Sequence, residues 1–239
     1  MPEPRLSLIV STKNRLLSRL AASGRAERLL PASIRPGVIS RLRDTGGHPQ
    51  WAREVMVADT RREFEALPPS GRSVVEISPS PEAEWRAWPW ARYAKLEFPE
   101  FDLCRPPESL PGPFDLVICE QVLEHVVDPV TAVETLRRLC KPDGRVFVST
   151  PFLIRLHDFP GDFWRFTPSG MEILLRCRGL EPLWVRSWGN RRAIVANFDR
   201  WTSRLPGQSL RNEERLPMVV WSMARPSGGA QPADDQDAK

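Results

Sequence analysis

The chain has 239 residues, with 34 Lys plus Arg against 30 Asp plus Glu, 41% hydrophobic residues and four cysteines. That length can bury a full core, and the composition excludes a disordered, collagen-like or disulfide-built protein. No apolar run approaches the roughly 20 residues of a membrane span, and residues 6–10 are too short for a signal-peptide core, so a reducing cytoplasm is the expected compartment.

The net charge of +4 hides an asymmetry. Residues 1–62 hold 12 Arg plus Lys against 5 Asp plus Glu, a local surplus of +7. Such an arm suits either an anionic partner or a solvated helical face. No aromatic-interleaved basic motif accompanies it, so a nucleic-acid partner is not expected. Cys104, Cys119, Cys140 and Cys177 form no CxxC pair and have no histidine at ligand spacing, so no metal is expected either. A homodimer is compatible with the sequence.

In chain order, Leu16, Leu17, Leu20 and Ala21 predict a helix over 14–30, and a second helix is expected from Gln50 to about Leu67. Pro68, Pro69, Ser70 and Gly71 then mark a boundary. The expected organisation is an N-terminal helical extension (1–70), a main domain (71–225) and a disordered, apolar-poor tail (226–239). In the main domain, 73–78, 92–98 and 101–104 read as strands. The apolar run 114–119 reads as a strand buried on both faces. Asp128 and Pro129 stand where an N-cap and first-turn proline belong, before Val130, Val133, Leu136 and Leu139 at helical spacing. Lys141, Pro142, Asp143 and Gly144 stop that helix ahead of a β-branched strand at 145–150. A helix at 167–177 capped by Thr167 and two last strands at 183–188 and 216–224 complete the domain. Residues 78–113 must carry two strands in too little chain for two helical crossovers, so at least one helix is shortened or lost, the one between strands two and three. Trp184, Trp188, Asn190, Arg191 and Arg192 either line a pocket or form a solvated sheet edge.

The stretch FDLVICEQVLEHVVDPVTAVETLRRLCKPDGRVFVSTP (114–151) resembles the core of class I S-adenosylmethionine-dependent methyltransferases, of the type 11-like group. The segment YAKLEFPEFDLC (93–104) and the string H…P.D.WRFTP.G (157–170) resemble a bacterial subgroup of the same family. The resemblance implies a Rossmann-like α/β sheet, mostly parallel with an antiparallel last strand, and S-adenosylmethionine as cofactor. It also implies O- or N-methylation of a metabolite, sugar or natural-product intermediate.

Carried over by position, Glu76, Ile77 and Ser78 at the end of strand one would lie along the cofactor. Glu97 would reach ribose hydroxyls, Asp102 and Leu103 the adenine, and Glu120 and Gln121 the cofactor edge after strand four. The family's glycine-rich turn after strand one is replaced by Ser78, Pro79, Ser80 and Pro81, so the usual glycine geometry is not expected there. That departure supports an alternative: a protein of this fold without orthodox cofactor binding, acting as a partner or regulatory subunit. His157, beyond a parallel strand's carboxyl end, is the candidate base, and His125 the second candidate. Asp158 and Asp162 are candidates to orient His157, and with Trp164 and Arg165 to contact substrate. An Asp162–Arg165 ion pair that merely closes the loop is the competing reading.

Overall fold

The computed structural model describes residues 50–67, 71–79, 84–157, 161–198, 201–202, 204 and 207–228. The helix expected at 14–30 and most of the expected tail lie outside these residues. One sheet contains β1 (Ser73–Ile77), β2 (Arg92–Leu96), β3 (Phe114–Glu120), β4 (Cys140–Pro151), β5 (Leu180–Trp188) and β6 (Val219–Pro226). Its order is β2-β1-β3-β4-β6-β5. The first four strands run parallel, and β6 is antiparallel to both β4 and β5. Helices α1 (Gln50–Glu65), α2 (Pro129–Leu139), α3 (Pro168–Arg176) and α4 (Arg191–Ala196) flank the sheet. The Rossmann-like architecture is the one the motifs imply. Among the described residues no helix is long and apolar enough to cross a membrane.

β3 is central because its sequence suits no other position: Phe114, Leu116, Val117, Ile118 and Cys119 are all fully buried. Alternation sends Val117 and Cys119 to one core and Leu116 and Ile118 to the other. The first core holds α2 and α3. Asp128 caps α2 by accepting from the Val130 and Thr131 amides at 3.0 Å each. Ala132, Val133, Leu136 and Leu139 then bury one stripe against the sheet, each aliphatic side chain contributing about 1.5–3 kcal/mol. Thr167 caps α3, and Gly179 (φ +71) ends the turn that follows it.

The strand expected at 101–104 does not form. The Asp102 carboxylate accepts from the Cys104 amide at 2.8 Å, and Arg105 N donates to Asp102 O at 3.0 Å. Those local bonds fold the segment into turns and leave no ladder. Phe101 and Leu103 instead enter the α2-side core, and Thr135 Oγ1 donates to Leu103 O at 2.9 Å. No helix stands between β2 and β3, a span that includes the connection after 92–98 where a lost helix was expected, and the β1–β2 connection carries only a 3₁₀ turn, Glu84–Ala87. β4 also begins earlier than expected, at Cys140. Phe114 pairs with Cys140 and Leu116 with Arg145, so the intervening tetrad bulges out of the ladder. β6 runs through Pro226, where the sequence reading had placed the start of the tail.

Aromatic side chains cover the sheet face left bare by the missing helix. Phe64 of α1 packs edge-on against Trp85 (4.7 Å between centroids) and Phe147 of β4 (5.7 Å). Trp88 and Trp90 stack at 5.6 Å beside them. Bulky rings bury large areas per residue, which allows a short connection to do a helix's covering work. Trp51, Met56 and Phe64 of α1 are buried there, so α1 is part of the domain core although it lies in the segment read as an extension.

Gly189, just past β5, has the closest backbone neighbours of any described glycine. A β-carbon there would lie 2.0 Å from Leu216 O and 2.5 Å from Met218 N. Neither is a side chain that can swing aside. Gly189→Ala is therefore expected to cost about 1–3 kcal/mol or more, read as a lowered thermal midpoint. Gly228→Ala, with open space around it, should stay within about 0.5 kcal/mol of the parent.

Candidate active site and cofactor edge

β1 and β3 are neighbours whose following connections leave in opposite directions, β1 toward β2 and β3 toward β4. Such a switch point leaves a crevice outside the carboxyl ends of the strands. Ser78 and Gln121 line it from the two sides, and both take positive φ, +42 and +55. The expectation that the glycine-free run could not adopt a glycine-like turn is thus corrected at Ser78. Its left-handed backbone costs about 1–2 kcal/mol. Two contacts hold it: Ser78 N donates to Leu96 O at 2.8 Å, and its hydroxyl accepts from Phe98 N at 3.2 Å. Gln121 is held to β4, its amide donating to Ser149 O at 2.9 Å and its Nε2 to Ser149 Oγ at 3.1 Å.

The predicted cofactor residues occupy this rim in different ways. Glu97 follows β2 directly and is half exposed, paired with Lys95 at 2.6 Å. Ile77 and Leu103 put their side chains into the core, which leaves their backbone for any ligand. Asp102 spends one carboxylate oxygen on its own turn. Alternation points Glu76 and Glu120 toward the α1 face. Glu76 is buried and accepts from Tyr93 Oη at 2.6 Å. Burial pushes its carboxyl up to about 7, against the lowering effect of the Tyr93 bond and with a further upward push from Glu120. Glu120 is braced by Arg53 of α1 on one oxygen and by Trp85 Nε1 at 2.9 Å on the other. It therefore anchors α1 and the tryptophan cluster. A crevice of about 20 Å3, room for one water, lies between α1 and the strand ends, lined by Arg53, Met56, Gln121, Pro151 and Val219.

Beyond β3 and β4 the chain brings together a second group. The loop after β4 folds back on the turn after β3: Phe163 N donates to Glu124 O at 2.7 Å, and Trp164 Nε1 to Val126 O at 2.9 Å. His125 and His157 meet edge-on with centroids 4.9 Å apart. His125 Nδ1 bonds the Gly161 carbonyl. His157 Nδ1 lies 3.0 Å from Asp162 Oδ2, which also accepts the His157 amide at 2.9 Å. A carbonyl and an ionised carboxylate only accept, so both rings carry hydrogen on Nδ1, which in the neutral imidazole leaves the lone pair on Nε2. Those two Nε2 atoms face one oxygen, Glu124 Oε1, at 3.7 and 3.9 Å.

Asp162 is thus the orienting residue for His157. Burial tends to raise its carboxyl, but the Arg165 side-chain bonds and the His157 amide hold it down at about 2. Arg165 closes the group on both Asp162 oxygens, its Nη2 at 2.6 Å from Oδ2. The ion pair is both a loop closure and a support for the imidazole. Trp164 is partly exposed and stacked on Phe166, so it tethers the loop. Asp158 lies outside the described residues. Among the sequence candidates for a pocket near β5, Trp188 and Asn190 are buried, Asn190 as the N-cap of α4, with Arg191 and Arg192 exposed on that helix.

A family described as a methyltransferase domain matches residues 38–212 of this chain. The chain belongs to that family, the class I S-adenosylmethionine-dependent methyltransferases. Among curated relatives, the ubiquinone biosynthesis O-methyltransferase of Pseudomonas paraeruginosa is 34% identical over 88 residues, 36% of this chain and 38% of that enzyme. The enzyme of the same name from Methylococcus capsulatus is 54% identical over 43 residues, 18% of each. The chain therefore matches well under half the length of these relatives. Among solved structures, the Haloferax volcanii complex of the Trm112 methyltransferase activator with a methyltransferase has a TM-score of 0.47 at 15% identity, covering 77% of this chain and 96% of that one. Burkholderia thailandensis 1,6-didemethyltoxoflavin-N1-methyltransferase has a TM-score of 0.42 at 14% identity, covering 95% and 92%.

S-adenosylmethionine is the cofactor of this family, and the rim residues fit it. The left-handed turn at Ser78 presents backbone at the end of β1, and Glu97 offers an exposed carboxylate after β2 able to accept two vicinal hydroxyls. Sequence reasoning missed three contributors. Arg53 and Trp85 carry no local signal, because their partner Glu120 is remote in sequence. Glu124 was legible only as an acid at the mouth of a parallel strand beside His125.

Two outcomes test the rim. Ser78→Gly removes the left-handed penalty and should stabilise the protein by about 1 kcal/mol in chemical denaturation, less the lost Oγ bond. Glu76 binds its proton more tightly folded than unfolded, so its contribution is fully present below pH 4.5 and lost as pH rises through about 7. Unfolding free energy should fall by a few kcal/mol across that window in the parent, and by clearly less in Glu76→Gln.

Proposed function

We propose that this protein is an S-adenosylmethionine-dependent O-methyltransferase acting on a hydroxyl of a small-molecule acceptor. The observation that carries this reading is the pair of imidazoles brought together beyond the ends of β3 and β4, each held through Nδ1 by Gly161 or Asp162. The names of the curated relatives support oxygen as the methylated atom. The glycine-like turn at Ser78 speaks for cofactor binding and against the reading of a partner subunit without it.

When bound, S-adenosylmethionine supplies an electrophilic methyl on a sulfonium whose departure needs no acid. The protein then has to position the acceptor and remove one proton. His157 takes the hydroxyl proton at Nε2 as the oxygen bonds to the methyl carbon. Asp162 fixes the ring and stabilises the imidazolium that forms. His125, on the opposite side of Glu124 Oε1, is the second acceptor of that proton. Glu97 and the Ser78 turn hold the ribose and amino-acid ends of the cofactor. Trp164 and Arg165 keep the loop closed on the acceptor side.

Calorimetry with S-adenosylmethionine and S-adenosylhomocysteine is the direct test. The parent should bind both, and Glu97→Ala should bind roughly 10–100-fold more weakly through loss of paired hydrogen bonds. His157→Ala should keep that binding and lose about 100-fold or more in kcat on a hydroxyl acceptor. Absence of binding to either ligand at millimolar concentration overturns the enzyme reading.

A further inference from the structure

Glu124 is the most unusual side chain in the described structure. It is fully buried, and neither carboxylate oxygen has a hydrogen-bond partner among the described residues. A buried carboxylate is normally paired or hydrogen-bonded, because leaving it bare costs several kcal/mol. The nearest guanidinium, on Arg165, is committed to Asp162. What Glu124 Oε1 does face is the two imidazole Nε2 atoms, at distances beyond hydrogen-bond reach. With Nδ1 protonated on both neutral rings, the buried carboxyl group and two lone pairs converge on one point, an arrangement relieved by a proton on Glu124 or by a cation among the three groups.

We propose that Glu124, His125 and His157 bind one divalent first-row transition-metal cation, of the Zn2+ type. The three ligand atoms lie within 4.8 Å of one another. Ligands about 2.0–2.1 Å from a common Zn2+ stand about 3.4 Å apart at tetrahedral angles, so the two imidazole–carboxylate pairs close with shifts of a few tenths of an ångström, and the widest pair has to close by up to about 1.4 Å. The surroundings match as well. Each imidazole gives its other nitrogen to a carbonyl or carboxylate, the outer contact that orients histidine ligands and raises their basicity. Two imidazoles and one carboxylate leave a coordination position open, the pattern of reactive rather than purely structural sites. Both imidazole side chains keep 14% exposure, while His157 Nε2 and both Glu124 oxygens are themselves buried, so a fourth ligand has to be admitted by a small movement of the loop.

Cation binding stands on this geometry alone; its consequence rests on the acceptor-end reading above. With the cation bound, both Nε2 pairs are committed to it, and a hydroxyl entering the open position would be acidified by the cation and release its proton to solvent before the oxygen bonds to the methyl carbon. Without it, His157 takes the proton. The sequence reading expected no metal because its search was for CxxC pairs and closely spaced histidines, whereas these ligands come from two separate loops.

The full-length chain should be stripped of metal and titrated with Co2+, followed by visible d–d absorption, with Zn2+ competition by calorimetry. One equivalent per chain with micromolar or tighter affinity is expected. Glu124→Gln and His157→Gln should abolish the tetrahedral spectrum, and Asp162→Asn should weaken binding roughly 10–100-fold. Cys177→Ser, which removes an exposed thiol, should change nothing. S-adenosylhomocysteine affinity measured on the same variants should stay at the parental value, which separates failure of this site from failure of the cofactor reading. If Glu124→Gln does not fold, His125→Gln tests the same point from a part-exposed ligand. No binding at millimolar Co2+ or Zn2+, or equal binding by the parent and the folded ligand variants, overturns the proposal.

Discussion

The structure depends on how little chain lies between β1 and β3. Residues 78–113 supply β2 and two connections, each near the short limit of about a dozen residues for a helical crossover, and neither carries an α-helix among the described residues. One sheet face would then stand open to water. Phe64, Trp85, Trp88, Trp90 and Phe147 fill it, and α1 lies across them. The Arg53 and Trp85 bonds to Glu120 tie this cover to the end of β3. Glu120, a residue expected at the cofactor edge, is thus a structural anchor of that cover.

The two ends of the cleft are built by different means. At the cofactor rim, backbone does the work: two non-glycine residues hold left-handed turns through bonds to neighbouring strands, at an energetic cost the sheet sustains. At the acceptor end, side chains do it. Asp162 takes four donors from two residues, the amide and ring of His157 and the guanidinium of Arg165, and so converts a surface loop into a rigid support. Glu124 is left facing the imidazoles, buried and with no hydrogen-bond partner for either oxygen among the described residues. The polarity of the site is concentrated where β3 and β4 end, the place an open α/β sheet offers a ligand.

Much of this was legible in the chain. The run 114–151 declares β3, α2 and β4 because each element carries its own local signature: a doubly buried apolar run, an Asp-Pro cap and a β-branched strand. Thr167 and Gly179 bracket α3 for the same reason. The false strand at 101–104 shows the limit of such reading. Apolar alternation there is genuine, but it is satisfied by a turn whose bonds Asp102 supplies locally. Ser78 shows the opposite error, since residue type alone argued against a backbone conformation that β2 contacts enforce.

By itself, then, the sequence determined the family, the parallel core and the loops that hold chemistry, because those are encoded in periodicity, caps and motifs of short range. Only the tertiary structure decided what the charged residues do. Glu120 became a brace, Asp162 an acceptor that holds His157, and Glu124 a buried group facing two imidazoles. Each outcome depends on partners remote in sequence, or on how far folding removes a carboxylate from water. Burial and convergence of that kind are properties of the packed sheet, and no local pattern specifies them.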